Sequence, residues 1–258
     1  MAARHVSPVS SVANARVRRA FCGWLIVGCL VVACEKSSSP TAPANPSPSV
    51  SVVFLDATLT ADQQETIRQV VVSTVERASA AIDVGALRCT VSSDMARTIP
   101  EWGLGGYALG PGDIEIVVDP EFGALDSVLT SRLPVLVAHE VHHTVRWRNP
   151  GPYGTLLDAF VFEGLADHFT VELLGAAIPP WSMALTPPEI ERYLNRARPE
   201  LDDTNYDFNA WFFGRGSDLP RWTGYSIGFH LVDVYLANHP GRSAASLVHE
   251  PSESFRPD

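Results

Sequence analysis

The segment that most constrains this chain is residues 139–143, His-Glu-Val-His-His, an HExxH motif. On an α-helix, positions four apart lie one turn apart on the same face, so the rings of His139 and His143 can bind one cation together. Glu140 lies on the neighbouring strip, where its carboxylate can take a proton from a metal-activated water. Histidines on a solvated helix face are the alternative, which the apolar flanking residues disfavour. The motif predicts a buried helix over 133–148 that carries a metal site.

A third ligand has to come from elsewhere, since a catalytic zinc ion takes three protein ligands and keeps one position for water. The metzincin pattern would continue with Gly and His at the positions that Arg146 and Asn149 hold, which excludes it. A deformylase needs a cysteine in a Glu-Gly-Cys context, and Cys89 has no such neighbours. Neither pattern supplies the ligand.

Glu163 is the candidate for the third ligand, in a helical pattern over 156–174. Its sequence neighbours are apolar, and a carboxylate in such company is costly unless it neutralises a cation. Gly164 costs roughly 1 kcal/mol inside a helix, which indicates that another backbone or a metal-bound group approaches there. Asp167, one turn after Glu163, can accept the ring N–H of a ligating histidine and fix its tautomer. For both carboxylates the alternative is an ordinary exposed helix position.

The order of the segments predicts an α+β fold, with strands first and helices after them. Residues 60–82 carry an apolar face at helical spacing and are expected to form a long helix after the first strand. Strands are expected over 51–55, 86–92 and 113–118. Later helices are expected over 133–148, 156–174, 188–198 and 226–237. An aromatic-rich loop between the last two helices contains Trp211, Phe212, Phe213 and Trp222.

Two further segments are candidates for substrate contacts. Hydrolysis of an amide builds negative charge on the carbonyl oxygen. Tyr225, at a helix start after a glycine, is expected to point into the substrate cleft beside the metal and to polarise this oxyanion. His230 follows five residues later, so the two side chains need not share a helix face. Residues 105–109 can form an edge strand that pairs with an extended peptide, or a simple hairpin turn. For Tyr225, His230 and the aromatic loop, a core position is the alternative.

The net charge excludes one class of partner. The chain has 19 basic and 29 acidic residues, a formal net charge of −10. Such a protein repels a phosphate backbone rather than displacing its counterions, so no nucleic acid is expected as a partner.

Residues 1–33 have the pattern of a secretory signal peptide. They contain four arginines and no acidic residue, and the apolar stretch over 20–33 is too short to span a bilayer comfortably. The stretch ends in Val-Val-Ala before Cys34, which resembles a bacterial lipobox, so Cys34 is expected to carry a lipid. An uncleaved membrane anchor is the alternative. The predicted location is the cell envelope, with the protein lipid-anchored to a membrane facing the periplasm or the exterior.

The segment after this signal has the composition of a tether. Residues 34–49 are rich in Ser, Pro and Ala and nearly lack core-forming residues, so they need not fold. The folded domain is expected over 50–258. Cys89 would be the one free thiol of the processed chain, and it is expected to be buried, with no disulfide framework.

Several segments together resemble a bacterial family of predicted zinc-dependent proteases. They are HEVHHTVR, EGLADHF, GGYALG before a strand that ends in Asp-Pro, and LPRWTGYSIGFHLV. The spacing from the HExxH motif to Glu163, with Asp167 four residues beyond, resembles the gluzincin arrangement of thermolysin-like peptidases. The resemblance covers most of residues 50–245. It implies a zincin-like fold with a small N-terminal mixed sheet, an active-site helix and a mostly helical C-terminal part, and it implies peptidase activity without a stated substrate.

The sequence as a whole predicts a lipid-anchored, zinc-dependent metallopeptidase with one zinc ion and a peptide or protein substrate. In this interpretation His139, His143 and Glu163 bind zinc. Glu140 is the general base, and Tyr225 polarises the oxyanion. Two alternatives stay open: a non-catalytic zinc-containing binding protein of the envelope, and a zinc hydrolase of non-peptide substrates. A structural zinc site has four protein ligands, and the presence of Glu140 beside two ligands argues against it.

Overall fold

A computed structural model describes residues 48–257 of the 258-residue chain. The predicted signal peptide, Cys34 and all but the last two residues of the predicted tether lie outside the described residues. Within residues 48–257, no helix has both the length and the apolar character needed to cross a membrane.

Four strands form one mixed sheet in the order β1-β2-β4-β3. They are β1 (Val50–Phe54), β2 (Leu87–Ser93), β3 (Leu104–Gly110) and β4 (Asp113–Val118). β1, β2 and β4 run parallel, whereas β3 pairs antiparallel with β4. β3 is therefore at one edge of the sheet. Cys89 in β2 is buried and free, as predicted.

The predicted strands are present, each shifted by at most one residue. Of the two alternatives for residues 105–109, the structure contains the edge strand, which is part of β3. Glycine is depleted in strands because it offers no side chain to pack. This glycine-rich segment is extended because its backbone pairs with β4 from residue 104 to residue 110.

The crossover between β1 and β2 is helix α1 (Ala61–Ser79). Thr60 and Gln63 form a capping box at its start, which gives partners to two backbone N–H groups. The helix ends three residues before the predicted boundary, and Ile82 is buried just beyond it. The predicted apolar face is the buried face of the helix, with Ile67, Val71, Val75 and Ala78.

Within the described residues, six helices follow the sheet. They are α2 (Leu125–Ser131), α3 (Leu133–Arg148), α4 (Leu156–Leu174), α5 (Pro187–Ala197), α6 (Phe208–Phe213) and α7 (Thr223–Asn238). α3 and α4 have the predicted bounds, α5 is shifted by one residue, and α7 begins three residues earlier than predicted. The predicted α+β fold, with a small mixed sheet and a mostly helical C-terminal part, is confirmed.

The aromatic segment that was expected to be a loop is helical over residues 208–213, where it forms α6. The Asp207 side chain accepts a hydrogen bond from the Ala210 N–H at its start, and Gly214 ends it in the left-handed conformation. The prediction was wrong here because six residues are too few to show a helical period.

Helices α4 and α7 approach each other more closely than side chains would allow. A methyl group on Gly164 would collide with the backbone carbonyl of Gly228, and one on Gly228 would collide with the carbonyl of Phe160. Of the two explanations considered for Gly164, the structure therefore supports the approach of another backbone. This packing brings the first turns of α7, which carry Tyr225, next to α4.

Candidate metal centre

Helix α3 is enclosed by α1, α4 and β3. His139, Glu140 and His143 are therefore buried, although all three are polar. Buried imidazole and carboxylate groups are costly unless they have partners. Most of their partners come from α4, which packs beside α3.

The side chains of α3 and α4 converge on one point. Nε2 of His139 lies 3.1 Å, and Nε2 of His143 3.4 Å, from the same oxygen, Oε2 of Glu163. The three residues offer ligand atoms that all lie within 4.8 Å of one another. Two atoms bound to a tetrahedral zinc ion at about 2.0–2.1 Å are about 3.3–3.4 Å apart, so the two distances to Oε2 of Glu163 are close to those of a zinc site. Two imidazoles and a carboxylate are also donors that zinc accepts.

The charges of the cluster also favour a cation. Glu140, Glu163 and Asp167 are each at most 7% exposed and place three carboxyl groups beside two histidines. Burial alone would raise the pKa of Glu163, but His143 and His139 outweigh burial and lower this pKa to about 2. Glu163 is thus ionised at neutral pH, as a metal ligand must be. A buried excess of negative charge is costly, and a divalent cation would offset it.

Asp167 connects the cluster to a neighbouring segment. Its Oδ1 lies 2.8 Å from Nδ1 of His139. Its Oδ2 accepts hydrogen bonds from Nε1 of Trp181, at 2.9 Å, and from the hydroxyl of Ser182. Asp167 therefore holds Nδ1 of His139 as the N–H side of the ring and leaves Nε2 to face Glu163 and His143.

The two adjacent histidines of α3 have different surroundings. Phe162 stacks on His143, with ring centroids 4.0 Å apart and planes 13° apart. His142 is fully buried, and neither of its ring nitrogens has a hydrogen-bond partner within residues 48–257. Burial lowers the pKa of His142 well below its usual range, so the ring is neutral. His142 packs against Phe169 and is not part of the cluster around Glu163.

Glu140 lies against the edge strand β3. A methyl group on Gly106 would come within 2.6 Å of Oε1 of Glu140, so the absence of a side chain at residue 106 makes room for this carboxylate. Burial raises the pKa of Glu140 to about 7, although His139 and the backbone N–H of Ala108 favour the ionised form. A carboxyl group with a pKa near neutrality is suited to proton exchange.

A cleft of about 700 Å³ opens beside the cluster. His139 and Glu140 line it from α3, Gly105 and Gly106 line it from β3, and Tyr225 lines it from α7. The cleft therefore gives a ligand access to one histidine of the cluster, His139, and to the carboxylate of Glu140 beside it. Its size is within the range of ligand-binding clefts.

Tyr225 is half-buried at the inner wall of this cleft. Its ring packs edge-on against Phe212, with centroids 5.1 Å apart, and lies 6.4 Å from the ring of Trp181. Burial raises the pKa of Tyr225 well above its usual range. The phenol therefore stays protonated and can donate a hydrogen bond into the cleft.

The other residues that the sequence suggested for substrate contacts lie partly in the cleft and partly elsewhere. Phe213 and Trp222 line the cleft, whereas Trp211 and Phe212 are buried. His230 lines a separate, smaller cavity with residues of the C-terminal segment. The structure thus brings Tyr225 to the cleft and does not bring His230 there.

Several residues around the cluster were missed by the sequence reasoning. Trp181 and Ser182 belong to a 3₁₀ turn, Pro180–Met183, which has no periodic pattern to mark it. Phe162, which stacks on His143, precedes the predicted ligand directly but was read only as apolar context. Gly106 had a usable signal, because glycine inside a strand often marks close approach of another group.

The fold and the cluster together define a class: an α+β protein whose HExxH helix and following helix can hold a metal ion beside a cleft. Residues 66–256 match the family model described as Predicted Zn-dependent protease (DUF2268). The chain therefore belongs to this family of predicted zinc-dependent proteases.

Two curated relatives come from Bacillus subtilis (strain 168). The chain is 30% identical over 144 residues to uncharacterized protein YjaZ, covering 53% of this chain and 51% of the relative. It is 27% identical over 151 residues to uncharacterized protein YjfC, covering 53% of this chain and 48% of the relative. The chain spans about half the length of these relatives. No solved structure matches it.

Proposed function

We propose that this protein is a metallopeptidase that uses one zinc ion to hydrolyse peptide bonds. The observation that carries the proposal is the convergence of His139, His143 and Glu163 beside a cleft that is lined by His139 and Glu140. The first three residues bind the zinc ion, and Asp167 orients the ring of His139. Three protein ligands next to an open cleft are typical of a catalytic zinc site, since a structural site has four.

The chain's own residues supply the proton transfers and the oxyanion contact. A bound zinc ion supplies a Lewis acid, which polarises a carbonyl oxygen and lowers the pKa of a water molecule. Glu140 accepts the proton of the attacking water and passes it to the leaving amine. Tyr225 donates a hydrogen bond to the carbonyl oxygen as negative charge develops on it, which is worth roughly 10²- to 10³-fold in kcat. The edge strand β3 can pair with the backbone of an extended peptide.

The test of this mechanism is Glu140→Gln, which keeps the shape of the side chain and removes its basicity. The variant should fold, bind zinc like the parent, and cleave a peptide library at least ~10²-fold more slowly, as expected when a general base is lost. His230→Gln is a matched control, because His230 lines another cavity. Its cleavage rate should equal that of the parent.

Each remaining outcome points to one alternative. An active parent whose Glu140→Gln variant cleaves equally fast would overturn the general-base role. A parent that binds zinc but cleaves no peptide would favour the non-catalytic binding protein or a zinc hydrolase of other substrates. A screen of ester and amide compounds would then separate these two.

We also propose that the protein is a lipoprotein of the cell envelope, anchored through Cys34. The support is the signal-like pattern of residues 1–33 and the Ser/Pro-rich segment after it. Cys34→Ala should leave the precursor unprocessed and without lipid, as judged by mass spectrometry of the expressed full chain. Normal processing of the variant would contradict this proposal.

A further inference from the structure

The charged side chains of the cleft are unevenly distributed. Three arginines line it, Arg97, Arg215 and Arg221, whereas Glu140 is the one carboxylate among its lining residues in the described part of the chain. The whole chain has a formal net charge of −10. An arginine of this wall that has no carboxylate partner of its own would favour an anionic ligand at its place in the cleft.

Two of the three arginines are already paired. Arg97 makes two hydrogen bonds to the carboxylate of Glu115, at 3.0 and 2.7 Å. Arg221 bonds to Glu101 at 2.8 Å and lies over the ring of Trp222. Arg215 makes no ion pair with any carboxylate within residues 48–257. Of the three arginines, Arg215 is therefore the one whose guanidinium has no carboxylate partner within residues 48–257.

The backbone at Arg215 is held by the end of α6. Gly214 ends α6 in the left-handed conformation, and the N–H of Arg215 donates to the carbonyl of Asn209 at 3.1 Å. This is a helix C-cap in which hydrogen bonds determine the exit direction of the chain. The guanidinium lies 5.4 Å from the ring centroid of Phe213. An exposed arginine is thus held on an aromatic side chain that itself lines the cleft.

Phe213 links this arginine to the candidate catalytic groups. The ring centroid of Phe213 lies 6.4 Å from that of Tyr225. The two contacts place the guanidinium of Arg215 within about 12 Å of the Tyr225 ring, which is the length of roughly three to four extended residues. A peptide held at Tyr225 can therefore reach Arg215 with a residue near its cleavage site.

We propose that Arg215 binds a carboxylate of the peptide substrate within about four residues of the cleaved bond. This inference rests on the proposed peptidase function and names its substrate class, peptides with an acidic group near the cleavage site. Arginine suits the role because its planar guanidinium binds a carboxylate through two parallel hydrogen bonds. The carboxylate belongs to an Asp or Glu side chain or to the C-terminus of the peptide.

Binding to the full-length Glu140→Gln variant tests the inference without turnover. Fluorescein-labelled peptides are compared in matched pairs, by anisotropy with zinc present. One set carries Glu or Gln at successive positions on each side of a common centre, and the other set has a free or an amidated C-terminus. At one position the acidic member should bind about 10-fold more tightly than its neutral partner. A preference in the first set assigns a side chain, and one in the second set assigns the C-terminus.

The preference should depend on Arg215 alone. Arg215→Gln should abolish it and leave the affinity for the neutral member within about twofold. Arg192→Gln is the matched control, since Arg192 is also exposed, lies 5.3 Å from the ring of Tyr193, and does not line the cleft. Equal binding of acidic and neutral members, no binding of either, or an equal loss in both variants would overturn the inference.

The two proposals fail in different measurements. If acidic peptides bind through Arg215 but the parent cleaves none of them, the peptidase function is wrong and the carboxylate site stands. If the parent cleaves acidic and neutral peptides with equal kcat/KM and binds them equally, the peptidase function stands and the carboxylate site is wrong.

Discussion

Helix α3 carries two buried polar clusters about one turn apart, and they differ in what completes them. Arg146 is 1% exposed, and its guanidinium donates to the carbonyls of Val248 and Glu250, at 3.2 and 2.8 Å, and to the hydroxyl of Ser252 at 3.1 Å. Burial lowers the pKa of Arg146 to about 10, which leaves it charged at neutral pH. Protein atoms alone satisfy this group, and it ties the C-terminal segment to α3.

The cluster around Glu163 is not balanced by protein atoms in the same way. Two histidines face three buried carboxyl groups, and ligand atoms of His139, His143 and Glu163 converge within 4.8 Å. This difference distinguishes a structural polar cluster from a functional one. Around Arg146 the donors and acceptors are protein atoms that pair with one another, whereas around Glu163 several acceptors converge and negative charge is in excess.

Removal of zinc should give the largest change in stability. A ligand that binds only the folded state at about 1,000 times its Kd stabilises that state by about 4 kcal/mol. EDTA should therefore lower the free energy of unfolding of the zinc-loaded protein by about this amount, as measured by urea denaturation. His143→Ala should lose this sensitivity, while Arg146→Met should keep it. If the parent had the same free energy of unfolding with and without EDTA, zinc would not stabilise the cluster around Glu163, and the proposed difference between the two clusters would be wrong.

Arg146→Met should give the next largest effect, and it should not depend on zinc. The substitution leaves acceptors of the C-terminal segment without a donor, which costs about 2–3 kcal/mol. Urea denaturation in EDTA measures this loss separately from metal binding. Arg148→Met is the control, because Arg148 also donates to backbone carbonyls but is exposed. An equal loss in both variants would show that burial of Arg146 does not matter.

Asp167→Asn should give the smallest change. It keeps the shape of the side chain but removes the charge that orients His139, so zinc affinity should fall by about 10- to 100-fold. Competition with a zinc-binding dye measures this. Asp158→Asn is the control on the same helix, since Asp158 belongs to the capping box of α4. If the zinc affinity of Asp167→Asn were unchanged, Asp167 would have no role in zinc binding and would only accept the hydrogen bonds of Trp181 and Ser182.

Much of the fold could be predicted because its signals are local. α3 and α4 have the predicted bounds, since each is an apolar helical pattern with a clear end, such as Thr155 at the start of α4. α6 was missed because a helix of six residues is too short to show a hydrophobic periodicity. Its ends are marked only by the Asp207 capping side chain and by Gly214. For the segment that forms β3, the sequence left a strand and a turn as alternatives, because a glycine-rich segment allows both. Its pairing with β4, which the sequence does not show, makes it a strand.

The candidate site was predictable only along its two helices. The spacing of residues along a helix determines which of them share a face, so the proximity of His139 to His143 follows from the sequence. The contact of Asp167 with Trp181 and Ser182 does not, because it depends on the path of an irregular segment. The same holds for Arg215, whose place at the cleft depends on how α6 and α7 pack. The roles of these residues in zinc binding and catalysis stay predictions.

Zinc binding by Glu163 tests the central claim most directly. The purified full chain and its Glu163→Gln variant are dialysed against the same limiting free zinc, and bound metal is measured by mass spectrometry. Glu172→Gln is the matched control, because Glu172 is on the same helix but caps the backbone of Ala244. We predict one zinc ion per chain in the parent and in Glu172→Gln, and little or none in Glu163→Gln. A parent without zinc, or a Glu163→Gln variant that retains it fully, would contradict the account.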